Sequence, residues 1–318
     1  MTNILYVVSD FNEDYSFNGK NLGDLLVLKG AKHLLQKTYG KHNAILFDKY
    51  IAYGNNNYLD FFKNIDIDIL AVVGSPWLHG FDTEKYRVLT RLLKMPNIEN
   101  AYHKIAVGIG SAISLNEKIV IQPEWKVWKS FDKIIVRDST AGEILNKMKI
   151  DYHYGLCQSY FYKYVMKKVK KEELYTLSIL YNPYTGICDK LEKNYKDAIL
   201  SYQFAYGADK VVSTQDYELD ISNNCHRIRT LDNLVKVISK AKYILTGRVH
   251  PAVMCILLNK KFCFIPVDSR KGIIRGMGGV IKDIFGKDKY SYKFRKPNEY
   301  ADLKINISFY EQKEYLMR

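Results

Sequence analysis

Four short stretches of this chain carry side chains that could do chemistry. They are Asn21-Leu22-Gly23-Asp24, the run from Gly74 to Gly80 with Trp77 and His79, Arg137-Asp138, and Arg248-Val249-His250. Together they offer two arginines, two histidines and two aspartates. That set suits the transfer of a doubly anionic group to a hydroxyl. Arginine forks neutralise phosphate or carboxylate, and a histidine or aspartate moves the proton. The last stretch is the richest. Tyr243 to Leu245 reads as a buried strand, and Pro251 fits the first position of a helix that runs on apolar residues to Leu258. Phe262 to Ile265 reads as the strand that follows. Arg248 and His250 therefore fall at the carboxyl end of a strand, beside the positive end of a helix. In an open α/β sheet ligands bind at that place, and helix-end N–H groups favour an anion there. Arg248 and His250 are the catalytic candidates, with His250 moving the proton.

Each candidate also has an ordinary structural explanation. Arg137-Asp138 at a strand end is the pattern of a local ion pair. Asp24 near a helix start fits a cap. Trp77 with His79 suits stacking on a sugar ring, but a loop tryptophan packs just as well. Lys271 could touch a donor anion, or belong with Arg270 to a solvated basic edge. For Arg248 and His250 the spacing, the preceding glycine and the proline that opens the helix favour function.

The elements that must position these residues alternate strand, loop and helix through both halves. Asn3 to Ser9, Ala44 to Phe47, Asp68 to Gly74, Lys104 to Gly108 and Lys133 to Val136 read as strands in the first half. Helices are expected from Asn21, over Leu59–Ile65, Thr83–Leu93, Trp125–Ser130 and Thr140–Met148. The second half restarts with a strand over Leu174–Leu180, and continues through helices over Asp189–Tyr206, Leu231–Ser239 and Val280–Phe285. Such alternation implies parallel sheets with right-handed crossovers. We expect an α/β fold of two facing Rossmann-like domains. The first covers 1–155, a linker region 156–173, the second 174–300, and the segment 301–318 forms a helix that packs back on the first.

At 318 residues and 47% apolar content the chain can bury two cores. Its net charge of +14 suits an acidic partner such as a phosphorylated substrate or an anionic membrane surface, although lysine-rich usage alone could produce it. No aromatic cluster matches a nucleic-acid signature, so no specific nucleic acid is expected. The five cysteines form no C-x-x-C pair, which argues against a zinc site or a disulfide framework and for a reducing cytoplasm. The start of the chain lacks a signal-peptide pattern, and no apolar run approaches a membrane span. A cytoplasmic protein, at most peripheral to the membrane's inner face, is the expectation.

The same loops resemble the polysaccharide pyruvyl transferase family. There, Asn-x-Gly-Asp opens the first helix, as Asn21 to Asp24 would here. A Gly-x-Gly follows an apolar strand, as in Gly108-Ile109-Gly110, and a strand ends in Arg-Asp or Arg-Glu, as in Arg137-Asp138. Late in the chain an Arg-apolar-His triplet opens an apolar helix, followed by a basic turn, a strand and Asp-x-x-Lys. Arg248-Val249-His250, Leu258 to Lys261, Phe262 to Val267 and Asp268 to Lys271 repeat that order. Two places depart from the pattern: Gly74-Ser75-Pro76-Trp77, where the family often has a glycine run, and Gly155-Leu156-Cys157-Gln158, where it often has Asp-Pro. The resemblance implies a GT-B-like fold, with the acceptor on the first domain and the donor on the second. It implies phosphoenolpyruvate as co-substrate; no other cofactor is expected, and no metal, since no His, Cys or Asp cluster has ligand spacing and arginines can neutralise the donor. The acceptor would be a sugar diol of a glycan, a lipid-linked sugar or a nucleotide sugar. By the same carry-over Arg137, Arg248 and His250 hold the donor's phosphate and carboxylate; Asn21, Asp24, Trp77, His79 and Lys271 are expected as further substrate contacts from their residue types and places in the loops.

Overall fold

The computed structural model describes residues 1–8, 22–49, 51–53, 55–78, 83–111, 118–179, 208–213, 225–246, 248–264, 296–297 and 300–318. Among these, two parallel sheets stand out. The first contains β1 (Thr2–Val8), β2 (His42–Asp48), β3 (Ile69–Val73), β4 (His103–Ile109), β5 (Lys133–Val136) and β6 (His153–Tyr154), in the order β2-β1-β3-β4-β5-β6. The second contains β7 (Tyr175–Ile179), β8 (Lys210–Ser213), β9 (Cys225–Arg227), β10 (Ala241–Thr246) and β11 (Phe262–Phe264), in the order β11-β10-β7-β8-β9. Every neighbouring pair is parallel. The central strands β1, β3 and β4 are apolar and buried on both faces, as a sheet covered by helices on both sides requires.

The helices are α1 (Leu22–Tyr39), α2 (Asn56–Asp60), α3 (Glu84–Leu93), α4 (Pro96–Glu99), α5 (Ser139–Lys147), α6 (Leu231–Lys240), α7 (Val249–Leu257) and α8 (Ala301–Met317). Strand order reverses at β1 in the first sheet and between β7 and β10 in the second. Helix α1 follows β1, and α7 follows β10. Both helices thus begin where an open parallel sheet leaves a crevice at its strand ends. One hydrophobic core runs through α1, α6, α7 and α8, joining residues of both sheets.

Several elements differ from the sequence expectation. Trp125–Ser130 belongs to a 3₁₀ segment, Pro123–Ser130, rather than to an α-helix. Its tighter winding brings residues three apart into line, so Trp125 and Trp128 both enter the core. The helix expected over 59–65 instead runs over Asn56–Asp60, capped by the Asn55 side chain on the Tyr58 N–H. Strand β6 is two residues long, too short for any periodicity to mark it. A second 3₁₀ segment, Gln158–Tyr164, packs between α1 and α7. The helices expected over 189–206 and 280–285 lie outside the described residues.

Helix α8 lies against β5, α1 and the Gln158–Tyr164 segment. Gln312 is fully buried there. Its amide donates to the Leu156 carbonyl at 3.0 Å, and its carbonyl accepts from the Gln158 amide at 2.8 Å. The Leu156 N–H donates to Ser308 Oγ at 3.0 Å. These contacts anchor the segment between the two sheets.

Candidate active site

The late triplet takes a different local form from the one expected. Arg248 is the N-cap of α7, and Val249 and His250 are already helical, so Pro251 is the third residue of the helix rather than the first. Proline is tolerated there because the first N–H groups of a helix have no intrahelical acceptor in any case. The Arg248 N–H donates instead to Thr246 Oγ1 at 3.0 Å. The Arg248 side chain is buried, and His250 is half-buried in the first helical turn.

His250 is held against the other sheet's first helix. A Cβ placed on Gly23, the second residue of α1, would overlap Nδ1 of the His250 ring. Glycine at this point lets the two helix starts meet. Alanine at Gly23 should therefore push His250 aside and lower turnover by up to about 10²-fold. Displacing the His250 ring costs some stability, partly offset because alanine is the better helix former. In a His250→Ala background the same substitution should have almost no further effect, which a double-mutant cycle of steady-state rates would check.

Asp24 follows Gly23 in the same turn and contributes to the field at Arg137. Arg137 stands at the carboxyl end of β5, buried, with Nη1 3.6 Å from the Cys157 thiol. Among the described residues its Nε has no hydrogen-bond partner. Burial opposes the guanidinium's charge, but Cys157, Asp138 and Asp24 outweigh that opposition and hold its pKa above the usual arginine value. The first turn of α1 thus touches His250 on one side and faces Arg137 on the other.

Arg137 and Asp138 are not the local ion pair that their adjacency suggests. Asp138 caps α5, accepting from the Ala141 N–H at 2.8 Å, and its other oxygen accepts from the Ser111 N–H at 2.8 Å. It is spent on backbone N–H groups, and Arg137 reaches instead toward Cys157. The Gly-x-Gly sequence makes room for this. A Cβ on Gly110 would come within 2.7 Å of both Arg137 Nε and Asp138 Oδ2.

Removal of the Asp138 side chain should cost about 2–4 kcal/mol in chemical denaturation, for a lost cap and a stranded buried N–H. Burial, only partly countered by its two N–H donors and Arg137, raises the Asp138 carboxyl to about 6. Since the folded value lies above the unfolded one, the native state binds more protons between the two. The contribution of this group is full below about pH 4 and is lost as the pH rises through about 6. Asp138→Asn should flatten that part of the stability profile.

Trp77 is corrected by the structure. Its ring is 1% exposed and packs edge-on against Trp128 and Tyr86, with Lys49 Nζ 4.5 Å from its centre. Its carbonyl accepts from the Tyr86 hydroxyl. No ring face is left for a sugar, so Trp77 is a core residue beneath the loop. Asn21, His79 and Lys271 lie outside the described residues. Sequence reasoning missed the contact that Gly23 permits and the Cys157 thiol beside Arg137. The only sign of the latter was the unusual Gly155-Leu156-Cys157-Gln158 run. Among the described residues no group of three His, Cys, Asp or Glu side chains is arranged to hold a metal ion, and no helix is long and apolar enough to cross a membrane.

Solved structures share this architecture at low identity. Staphylococcus aureus MnaA, in a co-structure with UDP, is 12% identical, with 99% of this chain and 97% of that chain covered at a TM-score of 0.52. The UDP-GlcNAc 2-epimerase of Methanocaldococcus jannaschii, in complex with UDP-GlcNAc and UDP, is 11% identical, with 98% and 99% covered and a TM-score of 0.51. The Neisseria meningitidis UDP-GlcNAc 2-epimerase bound to UDP-GlcNAc is also 11% identical, with 99% and 100% covered and a TM-score of 0.51. At such identity the likeness speaks for the fold alone, which is α/β and GT-B-like. No curated protein matches the chain. The family model described as polysaccharide pyruvyl transferase matches residues 21–269, a span that holds Asp24, Arg137, Arg248 and His250 and every strand from β2 to β11. Since that match covers most of the sequence and all four of these residues, the chain belongs to the polysaccharide pyruvyl transferase family.

Proposed function

We propose that this protein transfers pyruvate from phosphoenolpyruvate to two hydroxyls of a sugar, closing a ketal and releasing inorganic phosphate. The observation that carries the reading is the meeting of His250 with the first turn of α1, whose next residue, Asp24, acts on the buried Arg137. A proton carrier and two arginines from different sheets then serve one small, highly charged donor. Family membership supplies the reaction class.

In this reading Arg248, Arg137 and the start of α7 neutralise the donor's phosphate and carboxylate. His250 delivers a proton to the donor's methylene carbon, which becomes a methyl group and leaves an oxocarbenium-like carbon beside the phosphate oxygen. One sugar hydroxyl forms a bond to that carbon and gives its proton back to His250, the C–O bond to phosphate breaks, and the second hydroxyl closes the ring, its proton leaving with the phosphate. The atoms balance as phosphoenolpyruvate plus diol giving pyruvate ketal plus phosphate. The acceptor is a glycan, a lipid-linked sugar or a nucleotide sugar, met in the cytoplasm. Arginines carry the neutralisation, so we expect no requirement for a metal.

The test is phosphate release with phosphoenolpyruvate and a panel of sugars, in excess chelator. Acceptor-dependent release is the expected result. Activity that disappears in chelator and returns with a divalent ion would overturn the metal-free reading. Release of nucleoside diphosphate from a nucleotide sugar, with no turnover of phosphoenolpyruvate, would make the protein a glycosyltransferase. Binding of either donor without turnover would make it a non-catalytic relative.

A further inference from the structure

Helix α8 is apolar on two faces, and only one of them is buried. Ile305, Phe309 and Leu316, with Ser308 and Gln312, face the body of the protein. On the outside, Leu303, Ile307, Tyr310 and Met317 are 54%, 47%, 63% and 62% exposed. Their spacing is four, three and seven residues, with Glu314 filling the remaining place. That is the a/d seam of a helix that packs along a second helix. Tyr300, at the start of the same helix, is also exposed.

We propose that this face pairs two copies of the chain, through an antiparallel α8–α8 contact about a two-fold axis at Tyr310. The charges choose this occupant and this direction. Asp302 and Arg318 flank the seam at its two ends. Turning one helix end for end sets Leu303 opposite Met317, Tyr310 opposite its own copy, and Asp302 opposite Arg318. A parallel pair would instead oppose Asp302 to Asp302 and Arg318 to Arg318. Asp302 now lies 3.4 Å from Lys163, and Arg318 lies 3.7 Å from Glu314. Asp302, Arg318 and Glu314 are largely exposed, so these contacts cost little to rearrange. An anionic bilayer fits less well, because Asp302, Glu311 and Glu314 offset Lys304, Lys313 and Arg318 on the same helix and leave no net positive face.

The helix is already fixed to the protein by Gln312, Ser308 and Phe309, so pairing orders no new backbone. Its 17 residues span roughly 25 Å, which gives a contact at the small end of specific interfaces. The dimer should therefore be reversible, with a dissociation constant on the order of 10 μM.

Sedimentation of the full chain across roughly 1–200 μM should show a concentration-dependent monomer–dimer equilibrium. Tyr310→Asp sets two carboxylates against each other on the axis and should weaken it by more than about tenfold. Its circular dichroism and melting temperature should match wild type, because the side chain is exposed. Tyr310→Cys should form an intermolecular disulfide under mild oxidation. Leu303→Cys should not do so alone, but should when mixed with Met317→Cys. A wild-type monomer at every concentration overturns the proposal, and so does a dimer that Tyr310→Asp leaves intact. Leu303→Cys linking to itself overturns the antiparallel direction. If the protein stays monomeric but binds phosphatidylserine vesicles through this face, the occupant is a membrane and not a second copy.

Discussion

Alanine at His250 should lower turnover by about 10²–10⁴-fold, the range for loss of a positioned proton carrier. Alanine at Arg248 should weaken phosphoenolpyruvate binding by roughly 2–4 kcal/mol, as for a charge-assisted contact taken from a buried site. The two differ because the residues stand differently. Arg248 is the buried cap where β10 turns into α7, and a fixed guanidinium there can oppose an anion. His250 lies two residues further along α7, half-buried against Gly23, where its ring is held in place by the other half of the molecule. Calorimetry with phosphoenolpyruvate, run beside steady-state rates on both variants, separates the roles. If His250 only holds phosphate, its alanine variant should lose affinity and keep most of its turnover at saturating donor. Wild-type protein that binds a nucleotide sugar but no phosphoenolpyruvate would remove the pyruvyl-transfer reading.

Gly108→Ala should destabilise the fold by about 2–6 kcal/mol, because two costs combine. Gly108 sits at φ +72°, where an L side chain is strained by about 1–3 kcal/mol. It is also the extra residue between Val107 and Ile109 where the register of β4 on β5 shifts, so the strand bulges there. A Cβ at this point would overlap the Gln158 side-chain carbonyl, and Gln158 is fully buried. Overpacking adds about 1–3 kcal/mol. Gln158 adjoins Cys157 and is bonded to Gln312, so the same change should disturb the Arg137 setting. Denaturation by urea measures the loss; a change under about 1 kcal/mol would mean the 158 segment yields easily.

The parallel α/β architecture was legible in the sequence because buried strands and amphipathic helices have distinct periods. Continuous apolar runs such as Ile4 to Val8 and Ile69 to Val73 can only be central strands between helix layers. Arg137, Arg248, His250 and Asp24 were picked out for the same reason, since each stands where a strand ends or a helix starts. Periodicity says nothing, however, about which strand end meets which helix start. Gly23 carries no side chain, so only the packing of α1 on α7 gives it a role. Trp77 has the side chain of a sugar-stacking residue, but its ring is closed in by Trp128 and Tyr86 from other parts of the chain. Cys157 gains a partner because the Gln158–Tyr164 segment is pressed between α1 and α7, beside the end of β5. Local sequence thus set the elements and the chemical types at their ends. Long-range packing decided which of those ends share a site, because burial and contact depend on residues far apart in the chain.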